Sequence, residues 1–293
     1  MDMPSENSWL KNVIGEIETV RMKRQREPAD RSASSWKRFT QQELNDEVCP
    51  TYKNLLLGRS RRIPNRETII RIAEYLECTS DERNDLLLAA GYLPIRTELE
   101  GRALKLELER AHRTLSMLPF PAMIVTHTQD IIGCNVPFRR LFDLAPDRSS
   151  DGLMNRIDLH FHSSSPIRER STFDAQSRKQ WESHAIYGIQ SFKRDHMLSR
   201  YDAWYQRVIH KAQTYKAIER YGHPPNREEV PDNTQTILAT MESTGELVPV
   251  RYKTFSISAS GYIYPKIEVF LPADASARKV FEDLGCPANC EFG

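Results

Sequence analysis

The chain has 293 residues, 39% of them hydrophobic, and a formal net charge of +1. That length predicts two domains, and the charge balance excludes a globally basic nucleic-acid coat, so any DNA affinity has to come from local clusters. No apolar run approaches the roughly 20 residues of a membrane helix, and no basic segment followed by an apolar one marks a secretory signal; a soluble cytoplasmic protein with reduced thiols is expected.

The first predicted helix runs from about Trp9 to Arg26, with Leu10, Val13, Ile14, Ile17 and Val20 on one face at helical spacing. An insertion, Pro28–Ser35, separates it from a run of short capped helices over residues 36–94. Thr40-Gln41-Gln42-Glu43 is a capping box, in which a hydroxyl and a carboxylate satisfy orphan backbone donors. Gly58 can end the next helix in a left-handed conformation. Asn65 and Ser80 are predicted to cap two more, and Gly91 and Pro94 end the last. Phe39, Leu44, Val48, Leu55, Ile69, Ile72, Leu76 and Leu87 are the predicted core partners of the first helix. Basic residues gather twice: Arg21, Lys23, Arg24 and Arg26, then Lys53, Arg59, Arg61, Arg62, Arg66 and Arg71. A bare charge cluster is more often a solvated face than a DNA face, but short capped helices around a basic joint suggest a helix-turn-helix.

These residues resemble the helix-turn-helix domain of the Xre (lambda-repressor-like) family. The match is carried by Phe39-Thr40-Gln41-Gln42-Glu43-Leu44, Leu57-Gly58-Arg59 and Pro64-Asn65 with Thr68, Ile69, Ile72, Ala73 and Leu76. It closes with Glu82 to Leu86 and Ala89-Ala90-Gly91. The resemblance implies a mostly α-helical domain over residues 1–96 that binds double-stranded DNA, as a homodimer on a pseudo-palindrome. Gln41 would hold a phosphate at a helix N-terminus. Thr51, Tyr52, Lys53 and Asn54 would begin the recognition helix, and Arg59, Arg61 and Arg62 would contact the DNA backbone.

Residues 97–117 are read as a connecting helix. Leu104, Leu108, Ala111 and Leu115 share a stripe, and Pro119 and Pro121 break it. Residues 118–293 are the second domain. Ala122–Thr126 and Ile131–Cys134 are strand candidates, and Asn135 stands at a strand-to-helix corner as an expected structural hydrogen-bonding residue. The middle, about 153–245, reads as mostly helical, with a loop at Tyr221–Asn226. Val248, Val250 and Tyr252 alternate, as do Ile263, Ile267, Val269 and Leu271, around a turn at Ser260-Gly261. Strand pair, helical middle, strand pair predicts an α+β domain with one antiparallel sheet of about five strands. His160-Phe161-His162 would put two rings on one face of a strand, as zinc sites do, and Cys286 and Cys290 share a CxxxC spacing. Pocket or surface histidines and a tail thiol pair are the simpler readings.

The second domain resembles the ligand-binding region of MmyB-like regulators, a PAS-like fold. Leu118-Pro119, Pro121 to Val125, Asp130 to Asn135, Phe138 to Phe142, Asn155 to Phe161 and the strands ending at Leu271-Pro272-Ala273-Asp274 carry the match. It implies a small-molecule sensor behind a DNA-binding domain. Met123, Phe138, Leu141, Phe142, Phe161, Trp181, Ile189 and Phe192 are the expected apolar lining, against the simpler reading of each as plain core. Arg139, Arg140, His160 and Arg194 are alternative anchors for an acidic head. The expected ligand is a fatty acid or similar lipid, with no cofactor required. No phosphate loop, GxSxG elbow or HExxH appears, so no catalytic residue is assigned and an enzyme is the weaker hypothesis. Two rivals stay open: a PAS-like domain that only dimerises or binds a protein partner, and a metal or redox sensor built on His160, His162, Cys286 and Cys290.

Overall fold

A computed structural model describes residues 6–27, 37–95, 98–144, 154–163, 165–215, 234–258 and 262–288. The chain divides into two compact units: Met1–Thr97 with His196–Gln206, and Glu98–Asp195 with Arg207–Gly293. The insertion at 28–35, the loop at 221–226, the turn at 260–261 and Cys290 lie outside the described residues.

The first unit is helical, with α1 (Glu6–Arg26), α2 (Gln41–Glu47), α3 (Tyr52–Leu56), α4 (Arg66–Tyr75) and α5 (Ser80–Ala89). The expected stripe of α1 is its buried face: Leu10, Val13, Ile17 and Val20 are buried, and Ile14 packs at the edge of the same cluster. Every predicted core partner from Phe39 to Leu87 is buried with them. Thr40 and Glu43 form the capping box of α2, and the Asn65 side chain accepts from Thr68 N to start α4. The cap of α5 is Thr79 rather than Ser80, in a second capping box with Glu82. Gly58 and Gly91 take φ of +67° and +77°, where a side chain would be strained.

In the second unit, α6 (Gly101–Met117) buries Ala111 and Leu115. After it come β1 (Ala122–Val125), β2 (Asp130–Cys134), α7 (Val136–Leu141), β3 (Met154–Asn155), α8 (Arg156–Phe161), α9 (Pro166–Ser171) and α10 (Ala175–Asp195). A short 3-10 turn, Met197–Ser199, precedes α11 (Ala203–Gln213), which begins in the first unit's segment. The chain closes with β4 (Thr234–Thr240), β5 (Leu247–Ser258), β6 (Lys266–Pro272) and α12 (Ala275–Asp283). The sheet has six strands in the order β3-β2-β1-β6-β5-β4, with antiparallel pairing throughout.

The α+β expectation therefore holds, with six strands where about five were expected; β3 and β4, at the two edges of the sheet, are strands the sequence reading did not name. β3 is two residues long, too short for any periodicity. β4 falls inside the stretch read as helical. Its buried positions, Gln235, Ile237 and Ala239, do alternate, but a glutamine and an alanine hide the pattern.

Asn135 fixes the corner. Its Oδ1 accepts from Ala122 N (3.0 Å) and Phe138 N (3.1 Å), and its Nδ2 donates to Phe120 O (2.7 Å) and Leu118 O (3.2 Å). One side chain thus ties the end of α6, the start of β1 and the start of α7. Asn135→Ala is expected to cost this unit about 3 kcal/mol, because backbone groups lose their partner in a part-buried place. Asn135→Asp should recover only the accepting half. Urea unfolding midpoints of the two variants check this, and a neutral Asn135→Ala would contradict it.

Candidate functional site

Two cavities meet in the second unit. One, of about 450 Å³ including its open mouth, lies among helices: Ile157, His160 and Phe161 of α8, His184, Ala185, Gly188, Ile189 and Phe192 of α10, and Val208, Ile209 and Ala212 of α11. The other, of about 330 Å³ including its opening, lies against the sheet: Met123, Gln235, Tyr252, Thr254, Glu268 and Phe270 face Phe138, Phe142, Leu159, Ile167 and Trp181. Arg156, His160 and His184 line both. The helix-side cavity is mostly apolar, and the wall it shares with the other is polar.

That wall begins with Asn155. Its Nδ2 donates to Thr128 O (3.2 Å) and Asp130 Oδ1 (2.8 Å), and its Oδ1 accepts from Ile157 N (3.0 Å). The next residue, Arg156, is held through its own backbone N–H on Gln129 O (2.8 Å). Its Nη1 then reaches Glu268 Oε1 (2.7 Å), which also accepts from Lys266 Nζ (3.0 Å). Glu268 is 2% exposed in the middle of β6. Burial opposes its charge, but Arg156 and Lys266 outweigh burial and hold the carboxyl below its ordinary value. Of these three charges, Arg156 lines both cavities, Glu268 the sheet-side one and Lys266 neither, so Arg156 is the charged residue on the helix-side lining.

The histidines are neutral at pH 7. Burial, with Arg156 nearby, pushes His184 down to about 4. Burial, then His184 and Arg156, push His160 well below its ordinary value. Hydrogen bonding agrees: Tyr252 Oη donates to Gln235 Oε1 (3.0 Å), which turns the Gln235 amide nitrogen to His184 Nε2 at 3.0 Å. An amide N–H can only donate, so the ring must accept there, as a neutral imidazole does. The ring of His160 lies 4.5 Å from Trp181, whose indole N–H donates to His160 O (3.1 Å). Two buried polar atoms in the sheet-side wall, His160 Nδ1 and Thr254 Oγ1, make no hydrogen bond among the described residues.

Of the residues expected to bind a ligand, Phe161, Ile189 and Phe192 line the helix-side cavity, Met123, Phe138, Phe142 and Trp181 the sheet-side one, and His160 both. Leu141 and Arg139 line neither: Leu141 is packed in the core, and Arg139 sits beside Cys134. Arg140 pairs with Glu242 at the surface, and Arg194 is exposed beside Asp195. The cation in the wall is Arg156, which sequence reasoning passed over along with His184, Gln235, Thr254 and Glu268. A carboxylate inside the apolar run Ile267 to Leu271 was the available signal for Glu268.

His160 and His162 stand on and just after a short helix rather than on a strand, and His162 is exposed at its end. Cys286 is buried in the core. Among the described residues, no group of three or more His, Cys, Asp or Glu side chains is placed to hold a metal ion.

In the first unit, Gln41, Thr51, Lys53, Asn54, Arg59, Arg61 and Arg62 are exposed. Tyr52 is not: it is fully buried, its hydroxyl on Glu18 Oε1 at 2.6 Å, so it is a core residue and not a surface contact. The cluster near the end of α1 is also partly internal. Arg21 is buried on Glu18, and Arg24 is buried on Glu82 and on Leu76 O. Gln41 Nε2 donates to Glu18 Oε2 (2.9 Å).

A family model described as the MmyB-like transcription regulator ligand binding domain matches residues 109–284, more than half the chain. No curated protein matches the chain significantly. Among the described residues, no helix is long and apolar enough to cross a membrane.

The depressed histidines set a pH dependence. The folded state holds His184 neutral down to about pH 4, while an unfolded histidine takes up its proton near 6.5. The unfolded state therefore binds more protons between those values, and stability present above pH 6.5 is lost as pH falls towards 4. His184→Gln should flatten that part of the stability curve, measured by urea unfolding at stepped pH. A slope unchanged in the variant would contradict a neutral buried His184.

Proposed function

The chain belongs to the family of regulators with an MmyB-like ligand-binding domain, and we propose that it is a DNA-binding transcription regulator controlled by an elongated amphiphile held in that domain. The observation that carries the ligand reading is the pair of cavities with one polar wall. An apolar tail fits among α8, α10 and α11, where each buried CH₂ is worth about 0.8 kcal/mol. A polar head fits at Arg156, with His160 Nδ1 and Thr254 Oγ1 as neutral partners. Arg156, the charged residue on the helix-side lining, favours an anionic head such as a carboxylate, so a fatty acid or similar lipid is the ligand class.

Gly188 gives the test. It lines the helix-side cavity, and a Cβ added there meets nothing within 4 Å. Gly188→Leu should fill the space while favouring the helix by about 1 kcal/mol. Dodecanoate is expected to raise the melting temperature of the wild-type protein and to leave Gly188→Leu unmoved. Equal shifts in both proteins, or none in either, would contradict the assignment of this cavity.

The DNA reading rests on the first unit. Its helices carry the Xre-like caps, and Lys53, Arg59, Arg61, Arg62, Arg66 and Arg71 are exposed, while two of the four cations near the end of α1, Arg21 and Arg24, are buried. A homodimer would place two such units on the half-sites of a pseudo-palindrome. Arg59→Ala with Arg62→Ala should weaken binding to all DNA sequences alike. The pair should also make the salt dependence shallower, since a protein that neutralises fewer phosphates releases fewer counterions. Unchanged affinity and salt slope in gel-shift titrations would remove this face from the interface.

A further inference from the structure

We propose that the segment His196–Gln206 is a coupling strap: it joins the two helices that wall the ligand cavity, and the Asp202 carboxylate fastens it to the start of α5. The proposal rests on the ligand reading above and names how a filled cavity would reach the helical unit.

The strap follows α10 directly and runs into α11. α10 supplies His184, Gly188, Ile189 and Phe192 to the helix-side cavity, and α11 supplies Val208, Ile209 and Ala212. A molecule between them sets their separation. The residues between the two walls belong to the helical unit, not to the unit that holds the cavity.

The fastening is specific and buried. Asp202 Oδ1 accepts from Ser80 N (2.7 Å) and Oδ2 from Ser80 Oγ (2.6 Å), with Asp202 8% and Ser80 7% exposed. Ser199 Oγ lies 3.2 Å from Ser80 Oγ. Arg83 Nη1 donates to Leu198 O, and Arg200 pairs with Glu74 at 3.2 Å. The Thr79 hydroxyl already serves Glu82 N at this helix start. Asp202 satisfies a different orphan donor, the N–H of Ser80, and places a carboxylate at the positive end of the helix. The first turn of α5 is thus completed by a residue from far along the chain, one that lies in sequence between α10 and α11. A ligand shifts this equilibrium only if the cavity's filled and empty states place the strap differently.

The test is hydrogen exchange of the α5 first-turn amides, Ser80 to Arg83, in the full-length protein. The arms are wild type with and without dodecanoate, Gly188→Leu without it, and each repeated in Asp202→Ala and in Ser80→Ala. Dodecanoate and Gly188→Leu should each change exchange at these amides at least threefold while Asp202 and Ser80 are intact. In Asp202→Ala, dodecanoate should still bind, within a few-fold of its wild-type Kd, and exchange should no longer respond. Ser80→Ala keeps the backbone donor and should retain part of the response. A filled cavity with no change at α5, or a full response in Asp202→Ala, overturns the strap. Dodecanoate that does not bind, beside a response to Gly188→Leu, overturns the ligand class and supports the strap.

Discussion

A carboxylate buried in the middle of a β-strand governs the second unit. Glu268 stays ionised at 2% exposure only because Arg156 and Lys266 are within hydrogen-bonding distance of it. That requirement fixes α8, which must start where Arg156 can reach β6, and Asn155 secures it there. It also keeps the surrounding core from closing as plain hydrocarbon. Gln235, Tyr252, His184 and His160 complete a hydrogen-bonded wall around the charges, and cavities remain on both sides of it. A polar wall between apolar spaces is costly as architecture for stability alone. It is well suited to recognising one end of an amphiphile and burying the other.

The first unit solves a similar problem for a different end. Glu18 gathers Arg21, Tyr52 and Gln41, and Glu82 gathers Lys23, Arg24 and the start of α5. Burial raises the carboxyl of Glu18, yet hydrogen bonds from Arg21, Tyr52 and Gln41 bring it below its ordinary value. These ties lock α1 against α2, α3 and α5. Arg21 and Arg24 are withdrawn from the surface in this way, in contrast with the exposed set from Lys53 to Arg71.

Much of this was legible in the sequence where the signal is local. Capping residues act within four positions, so Thr40 with Glu43 and Asn65 with Thr68 announce their helices. Apolar stripes repeat at helical spacing, so the core of the first unit could be named residue by residue. The misses are non-local. Nothing near Tyr52 shows that Glu18 awaits its hydroxyl, or that Arg24 turns inward to Glu82. Arg156 and Glu268 are brought together by the sheet, and His184 and Gln235 meet across a segment with no shared period. β4 is hidden because Gln235 and Ala239 occupy its buried positions, where an alternation of larger apolar residues would have declared a strand. Most of the aromatic set lies in the cavity walls, but only the fold separates Phe142, in such a wall, from Leu141, in solid core.

The central claim is that the space beside this polar wall exists to hold an amphiphile. Mass spectrometry of small molecules extracted from the natively purified protein tests it most directly. An elongated molecule with one polar end should be enriched from the wild-type protein and missing from Gly188→Leu purified in parallel. Extracts that cannot be told apart, from two equally folded proteins, would contradict it.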